Sequence, residues 1–211
     1  WNERARDREP SRMSPRMAWR AIMSALPKEA IISSDIGNNC AIGNAYPSFD
    51  EGRKYLAPGL FGPCGYGLPA ILGAKIGQPD VPVVGFAGDG AFGISMNEMT
   101  ACGRNDWLPI TMVIFRNYQW GAEKRNTTLW FEDNFVGTEL NLDVNYAKIA
   151  DACGLKGVQV TSMDDDEADR LVFYLKMAVR HNATIHNTYT THTQHIRNTY
   201  ATHTQHIHNT Y

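Results

Sequence analysis

The sequence has no apolar run near the roughly 20 residues that a bilayer-spanning helix needs, so no membrane partner is expected. The Arg-rich start, Trp1 to Arg16, lacks the apolar stretch of a secretory signal, and a cytoplasmic setting is the expectation. Neither sign of charge is in excess. A net charge of -2 gives no electrostatic ground for expecting nucleic acid or an anionic lipid surface as partner. Cysteine is sparse: Cys40, Cys64, Cys102 and Cys153 form no CxxC pair of the kind that suggests zinc or a redox couple, which leaves reduced, mostly buried thiols. Length is limited too, because 211 residues build one ordinary α/β domain and a short appendage, not a second large domain.

What is present is enough for a core, since 43% of residues are apolar. Residues 1–13 are polar, charged and aperiodic, and read as the remnant of an inter-domain linker. A domain over residues 14–180 follows. Ser14 before Pro15 predicts a helix start, and Met17, Ile22 and Leu26 space an apolar stripe that stops at Pro27. Ala30 to Ser34, Pro82 to Ala87, Pro109 to Phe115 and Val158 to Thr161 predict strands, the first three apolar enough to be buried on both faces. Helices are predicted over 65–76, 95–104, 144–153 and 164–180, the last with Leu171, Leu175 and Val179 near one face. Strand and helix alternate, which predicts an α/β fold: a parallel sheet with helices on both faces.

The end of the chain, residues 181–211, is of another kind. His186 to Ile196 recurs almost unchanged as Arg197 to Ile207, and a third copy begins at His208. All seven histidines lie at or after His181, and the repeat has almost no aliphatic residues with which to build a core, so a disordered tail is expected. Two other readings stay open: a metal-binding histidine tract, and read-through of a repetitive or frame-shifted coding segment. The apolar final strand expected after Arg180 is replaced by the repeat, which predicts an uncovered sheet edge.

Ligands of open parallel sheets sit beyond the carboxyl ends of the strands, where Gly88-Asp89-Gly90 and Arg116-Asn117 fall. The glycines let backbone N–H groups approach a diphosphate, and the helix that follows turns its positive end to the anion. Asp89 offers a hard anionic oxygen for Mg²⁺, and Asn117 adds a neutral one. A lone Gly-Asp-Gly often marks a turn only. Joined to Asn117 across one helix and one strand, it resembles the shared signature of thiamine-diphosphate (TPP) enzymes, in the domain that binds the cofactor's diphosphate.

That resemblance implies a Mg²⁺ ion held by Asp89, Asn117 and the main-chain carbonyl of Gln119, with Gly37, Asn38, Asn39, Gly88, Gly90 and Ala91 around the TPP diphosphate. Gly62 to Pro69 with Gly73-Ala74-Lys75, and Ser34-Asp35-Ile36-Gly37, resemble segments of acetolactate synthases. Cys64 stands where those enzymes carry a methionine near the cofactor, so it is either an apolar wedge or a packing residue. The run Phe115 to Asn126, continuing from Phe135 to Leu140, is similar to the sulfoacetaldehyde acetyltransferase branch. Membership there implies conversion of sulfoacetaldehyde and phosphate to acetyl phosphate and sulfite, with the carbanion chemistry supplied by the cofactor. Arg116, Lys124 and Arg125 are then either contacts for these anions or a solvated, ion-paired surface.

The family also implies a partner, an N-terminal pyrimidine-binding domain carrying the glutamate that activates the cofactor, and a homodimer or homotetramer of the complete protein. No catalytic residue is assigned within this chain, which is expected not to turn over alone. An acetolactate-synthase-like fragment and a non-catalytic remnant are the alternatives.

Overall fold

A computed structural model describes residues 15–49, 52, 54–104, 110–161, 172 and 185–190. Helix α1, Pro15–Ala25, opens at the proline and buries Ala18, Trp19, Ile22 and Ala25, a stripe at helical spacing. Strand β1, Ile31–Ser34, is buried at every position. Helix α2, Asn38–Gly43, and the short strand β2, Tyr55–Leu56, follow. Then come α3, Gly67–Gly77, β3, Val83–Gly88, and α4, Asp89–Ser95. A 3₁₀ turn, Met96–Glu98, joins α4 to α5, Met99–Cys102. Strand β4, Thr111–Arg116, leads to α6, Gly121–Phe131, α7, Tyr146–Ala152, β5, Lys156–Val160, and β6, Ile185–Thr190.

The six strands form one sheet in the order β2-β1-β3-β4-β6-β5. Every pairing is parallel, with Ile32 opposite Val84 and Val84 opposite Thr111. Successive side chains of a strand point to opposite faces. Val84, Phe86 and Val113 therefore pack with Trp19 and Ile22 of α1, while Val83, Ala87, Met112 and Ile114 pack on the other face with Leu68 and Ile71 of α3, Phe92 of α4 and Ala150 of α7. Trp19, fully buried, centres the first layer, with its ring centroid 4.3 Å from that of Phe86 and 5.3 Å from that of Phe115. Truncating such a residue costs about 3–5 kcal/mol. The expected parallel sheet with helices on both faces is the observed one.

Several elements differ from expectation. The helix foreseen at 95–104 begins at Asp89 and is broken by the 3₁₀ turn, so its start lies inside the Gly-Asp-Gly motif. Elements α2, β2 and α6 were not foreseen. The polar repeat does not leave the sheet open at its start: Ile185–Thr190 forms β6, paired from Thr111 opposite Ile185 to Arg116 opposite Thr190 on one side, and from Lys156 to Val160 on the other. The correction has a backbone cause. An interior strand position satisfies N–H and C=O groups on both sides whatever the side chains, and Ile, Thr and Tyr suit extended backbone. The linker at 1–13, the Ser14 cap and the rest of 181–211 lie outside the described residues, as does the helix expected at 164–180 apart from Val172.

Candidate functional site

Parallel register brings the carboxyl ends of β1, β3 and β4 to one edge of the sheet, with Ser34 opposite Phe86 and Gly88 opposite Phe115. The loops that leave those ends enclose a pocket lined by all nine residues singled out from the sequence: Gly37, Asn38 and Asn39 after β1, Gly88, Asp89, Gly90 and Ala91 after β3, and Asn117 and Gln119 after β4. The pocket is also lined by residues the sequence reading did not single out, chiefly Trp19, Ile36, Phe115, Trp120 and Gly121. Gly37 turns the first loop at φ 119°, a conformation that side chains rarely adopt. Gly121 has a different reason. A Cβ there would stand 2.6 Å from Asn117 Nδ2 and 2.7 Å from Asn38 Nδ2, so its missing side chain leaves room for both amides.

Asp89 is 2% exposed. Its Oδ2 accepts from Tyr118 N–H at 2.7 Å and its Oδ1 from Gly90 N–H at 3.2 Å. Burial pushes its carboxyl above the usual carboxylate range, against the pull of backbone N–H groups at Tyr118, Asn117 and Asp89 itself and of the Arg116 guanidinium. The outer amide atom of Asn117 lies 2.9 Å from the Gln119 carbonyl oxygen and 3.1 Å from Asp89 Oδ1. With nitrogen at that place the amide donates to both oxygens; with oxygen there, it faces two other oxygens, an arrangement that a bound cation would stabilise. Neighbouring oxygens of an octahedral Mg²⁺ shell, with bonds of about 2.0–2.1 Å, stand roughly 2.9 Å apart, so the two spacings from the Asn117 amide suit that ion. Among the described residues no group of three or more His, Cys, Asp and Glu side chains could hold a metal. This donor set is of another type: one carboxylate, one amide and one carbonyl.

Asn39, on the β1 side of the pocket, has an unsatisfied amide. Asn39 is 7% exposed, its Nδ2 donates to Ser34 Oγ at 3.3 Å, and its Oδ1 has no partner. Asp35, 1% exposed, fastens the loops: its Oδ1 accepts from Ile36 N–H at 2.8 Å and Gly65 N–H at 3.0 Å, its Oδ2 from Gly67 N–H at 2.7 Å. Burial raises its carboxyl above the ordinary value, with those N–H groups opposing. The only sign of this in the sequence was a carboxylate directly after a strand read as buried.

The three cations near the second loop are not alike. Arg116 is 5% exposed, lines the pocket, and donates from Nη2 to Leu142 O at 2.9 Å. Lys124 is ion-paired to Glu139 and stands over the Phe135 ring, and neither it nor the exposed Arg125 lines the pocket. Cys64 does line it, half-buried, its thiol pushed up by burial and by the nearby Asp35 and Glu123 charges.

Comparison with known proteins follows this geometry. Residues 35–186 match the family model described as thiamine pyrophosphate enzyme, C-terminal TPP binding domain. The chain is 78% identical over 165 residues to a sulfoacetaldehyde acetyltransferase of Roseovarius nubinhibens, covering 78% of this chain and 27% of that protein. It is 79% identical over 160 residues to a probable sulfoacetaldehyde acetyltransferase of Rhizobium meliloti, covering 76% and 27%. An acetolactate synthase large subunit of Haemophilus influenzae is 26% identical over 162 residues, covering 77% and 28%. The chain thus spans about a quarter of the length of the curated relatives it matches.

Proposed function

The chain belongs to the thiamine pyrophosphate enzyme family, through its C-terminal TPP-binding domain, and from that premise we propose that it is the part of a sulfoacetaldehyde acetyltransferase that holds the TPP diphosphate and Mg²⁺. The observation that carries the reading is a convergence: the outer amide atom of Asn117, after β4, stands 2.9 Å from the Gln119 carbonyl oxygen and 3.1 Å from Asp89 Oδ1, after β3. In this reading Asp89, Asn117 Oδ1 and Gln119 O hold the ion, and Gly37, Asn38, Asn39, Gly88, Gly90 and Ala91 surround the diphosphate. The bound cofactor supplies carbanion stabilisation at the carbonyl carbon of the substrate.

What this chain's own residues do is bind, orient and exclude water. Ile36, Phe115 and Trp120 give the pocket apolar walls, so charges inside it act through a lower dielectric than water. Asp35 ties the loop after β1 to the glycine-rich loop before α3, which keeps Gly37 and Cys64 on one rim. The remaining parts of the complete enzyme, including the pyrimidine-binding domain and its activating glutamate, close the site, with a homodimer or homotetramer as the assembly. The complete reaction takes sulfoacetaldehyde and phosphate to acetyl phosphate and sulfite. Identity near 78% to the Roseovarius enzyme, against 26% to the Haemophilus acetolactate synthase, supports this branch.

The test is product analysis on a complete enzyme that carries this chain as its C-terminal part. Phosphate-dependent release of sulfite from sulfoacetaldehyde is expected. Acetolactate formed from pyruvate, with no sulfite, would overturn the assignment.

A further inference from the structure

The loop that presents two of the three metal-facing oxygens depends on an unusual residue. Tyr118 lies between Asn117 and Gln119 with φ 61°, in the left-handed region that bulky side chains avoid. That reversal is what turns the Asn117 amide and the Gln119 carbonyl to the same point, 2.9 Å apart. Something must hold it. The Tyr118 backbone is tied on both sides, its N–H to Asp89 Oδ2 and its carbonyl to Leu140 N–H at 2.8 Å, while its ring lies under the Arg116 guanidinium, 4.1 Å from ring centroid to Cζ. The same guanidinium stands 5.8 Å from the Tyr146 ring centroid, and the Tyr146 hydroxyl donates to Asp89 O at 3.3 Å. Arg116 is therefore wedged between two tyrosines that each bond Asp89, and its Nη2 is anchored on Leu142 O.

We propose that Arg116 is a positioning residue for the metal site: by stacking on Tyr118 it holds the left-handed turn that aims Asn117 and Gln119 at Asp89. The inference rests on the Mg²⁺ reading of this pocket. It differs from a simple electrostatic role in the sign of its consequence. A guanidinium near a dication repels it, so if charge alone mattered, removing Arg116 would tighten Mg²⁺ binding. Positioning makes the opposite prediction. A lysine keeps the charge but lacks the planar group that stacks on an aromatic face, so it should not substitute.

The experiment titrates Mg²⁺ into the 211-residue chain with saturating TPP, followed by calorimetry, with circular dichroism to check the fold. Arg116→Gln and Arg116→Lys are each expected to raise the Mg²⁺ concentration for half-saturation by about 10-fold or more, the usual effect of losing a group that orients metal ligands. Glycine needs no clamp to sit at positive φ, so Tyr118→Gly added to Arg116→Gln is expected to recover part of the loss. A Mg²⁺ requirement in Arg116→Gln equal to or below that of the wild type overturns the proposal, as does full retention by Arg116→Lys. Should Arg116→Gln fail to fold, Arg116→Lys decides alone. A wild-type chain whose TPP binding ignores Mg²⁺ overturns the metal reading itself, and this inference with it.

Discussion

At the scale of single residues, the buried polar groups of the pocket and the nearby surface charges separate cleanly. Asp89 Oδ1 and the outer amide atom of Asn117 stand 3.1 Å apart, so on the proposed Mg²⁺ reading Asp89→Ala or Asn117→Ala should raise the Mg²⁺ needed for TPP binding by about 100-fold, more than the loss of an orienting group alone. Lys124→Ala removes a partly exposed ion pair to Glu139, worth about 0.2–1 kcal/mol of stability, and should leave the Mg²⁺ requirement unchanged. Equal effects in calorimetric titrations would count against the metal assignment. Asp35 makes a pH-dependent prediction. Its folded pKa is raised by burial, so above that value its ionised carboxylate disfavours the folded state relative to the unfolded. Acidification through the folded value relieves this cost, and the relief is complete below the ordinary value of 3.8. Urea midpoints measured at stepwise lower pH should therefore rise for the wild type relative to Asp35→Asn, and a gap that stays constant would reject the argument.

At the scale of elements, what the sequence disclosed depended on burial. Strands β1, β3 and β4 are sandwiched between helices and read as short apolar runs, and their ends carried the Gly-Asp-Gly and Arg-Asn signals to one sheet edge. Helix α6 was illegible because none of its residues is buried, so Gly121–Phe131 shows no apolar stripe. Strand β2 has two residues, too few for a pattern. Trp19 was passed over although it centres one core layer, because the stripe was read one position away, through Met17. The loop fastening by Asp35 was hidden for another reason: its partners Gly65 and Gly67 lie 30 and 32 residues along the chain, beyond the reach of any local pattern. Strand β6 was missed since its sequence is polar and its place is set by backbone ladders on both flanks. That account is testable. Proline at 188 removes one ladder N–H from an interior strand, so Thr188→Pro should lower the melting temperature by several degrees, whereas an unchanged melting temperature would mean that the ladder contributes nothing.

At the scale of the whole molecule, large apolar side chains stand exposed on two segments that contribute to the pocket. Leu60 and Phe61, on the loop before Cys64, are 107% and 93% exposed, while Leu129, Trp130 and Phe131 at the end of α6 are 66%, 76% and 67% exposed. Cys64 and the start of α6 line the pocket, and these groups lie further along the same two segments. Large apolar side chains left bare on segments beside a binding pocket mark a surface that another body covers. On the proposed function, in which this chain is one part of a longer enzyme, the remaining parts supply that body. Trp130 reports on it directly. Its indole is accessible here, whereas Trp19 is fully buried, so acrylamide should quench a component of the chain's fluorescence that disappears in Trp130→Phe. In the complete enzyme that component should be protected from the quencher, and equal quenching in both settings would show that α6 faces solvent in the assembly and that the site is closed from another direction.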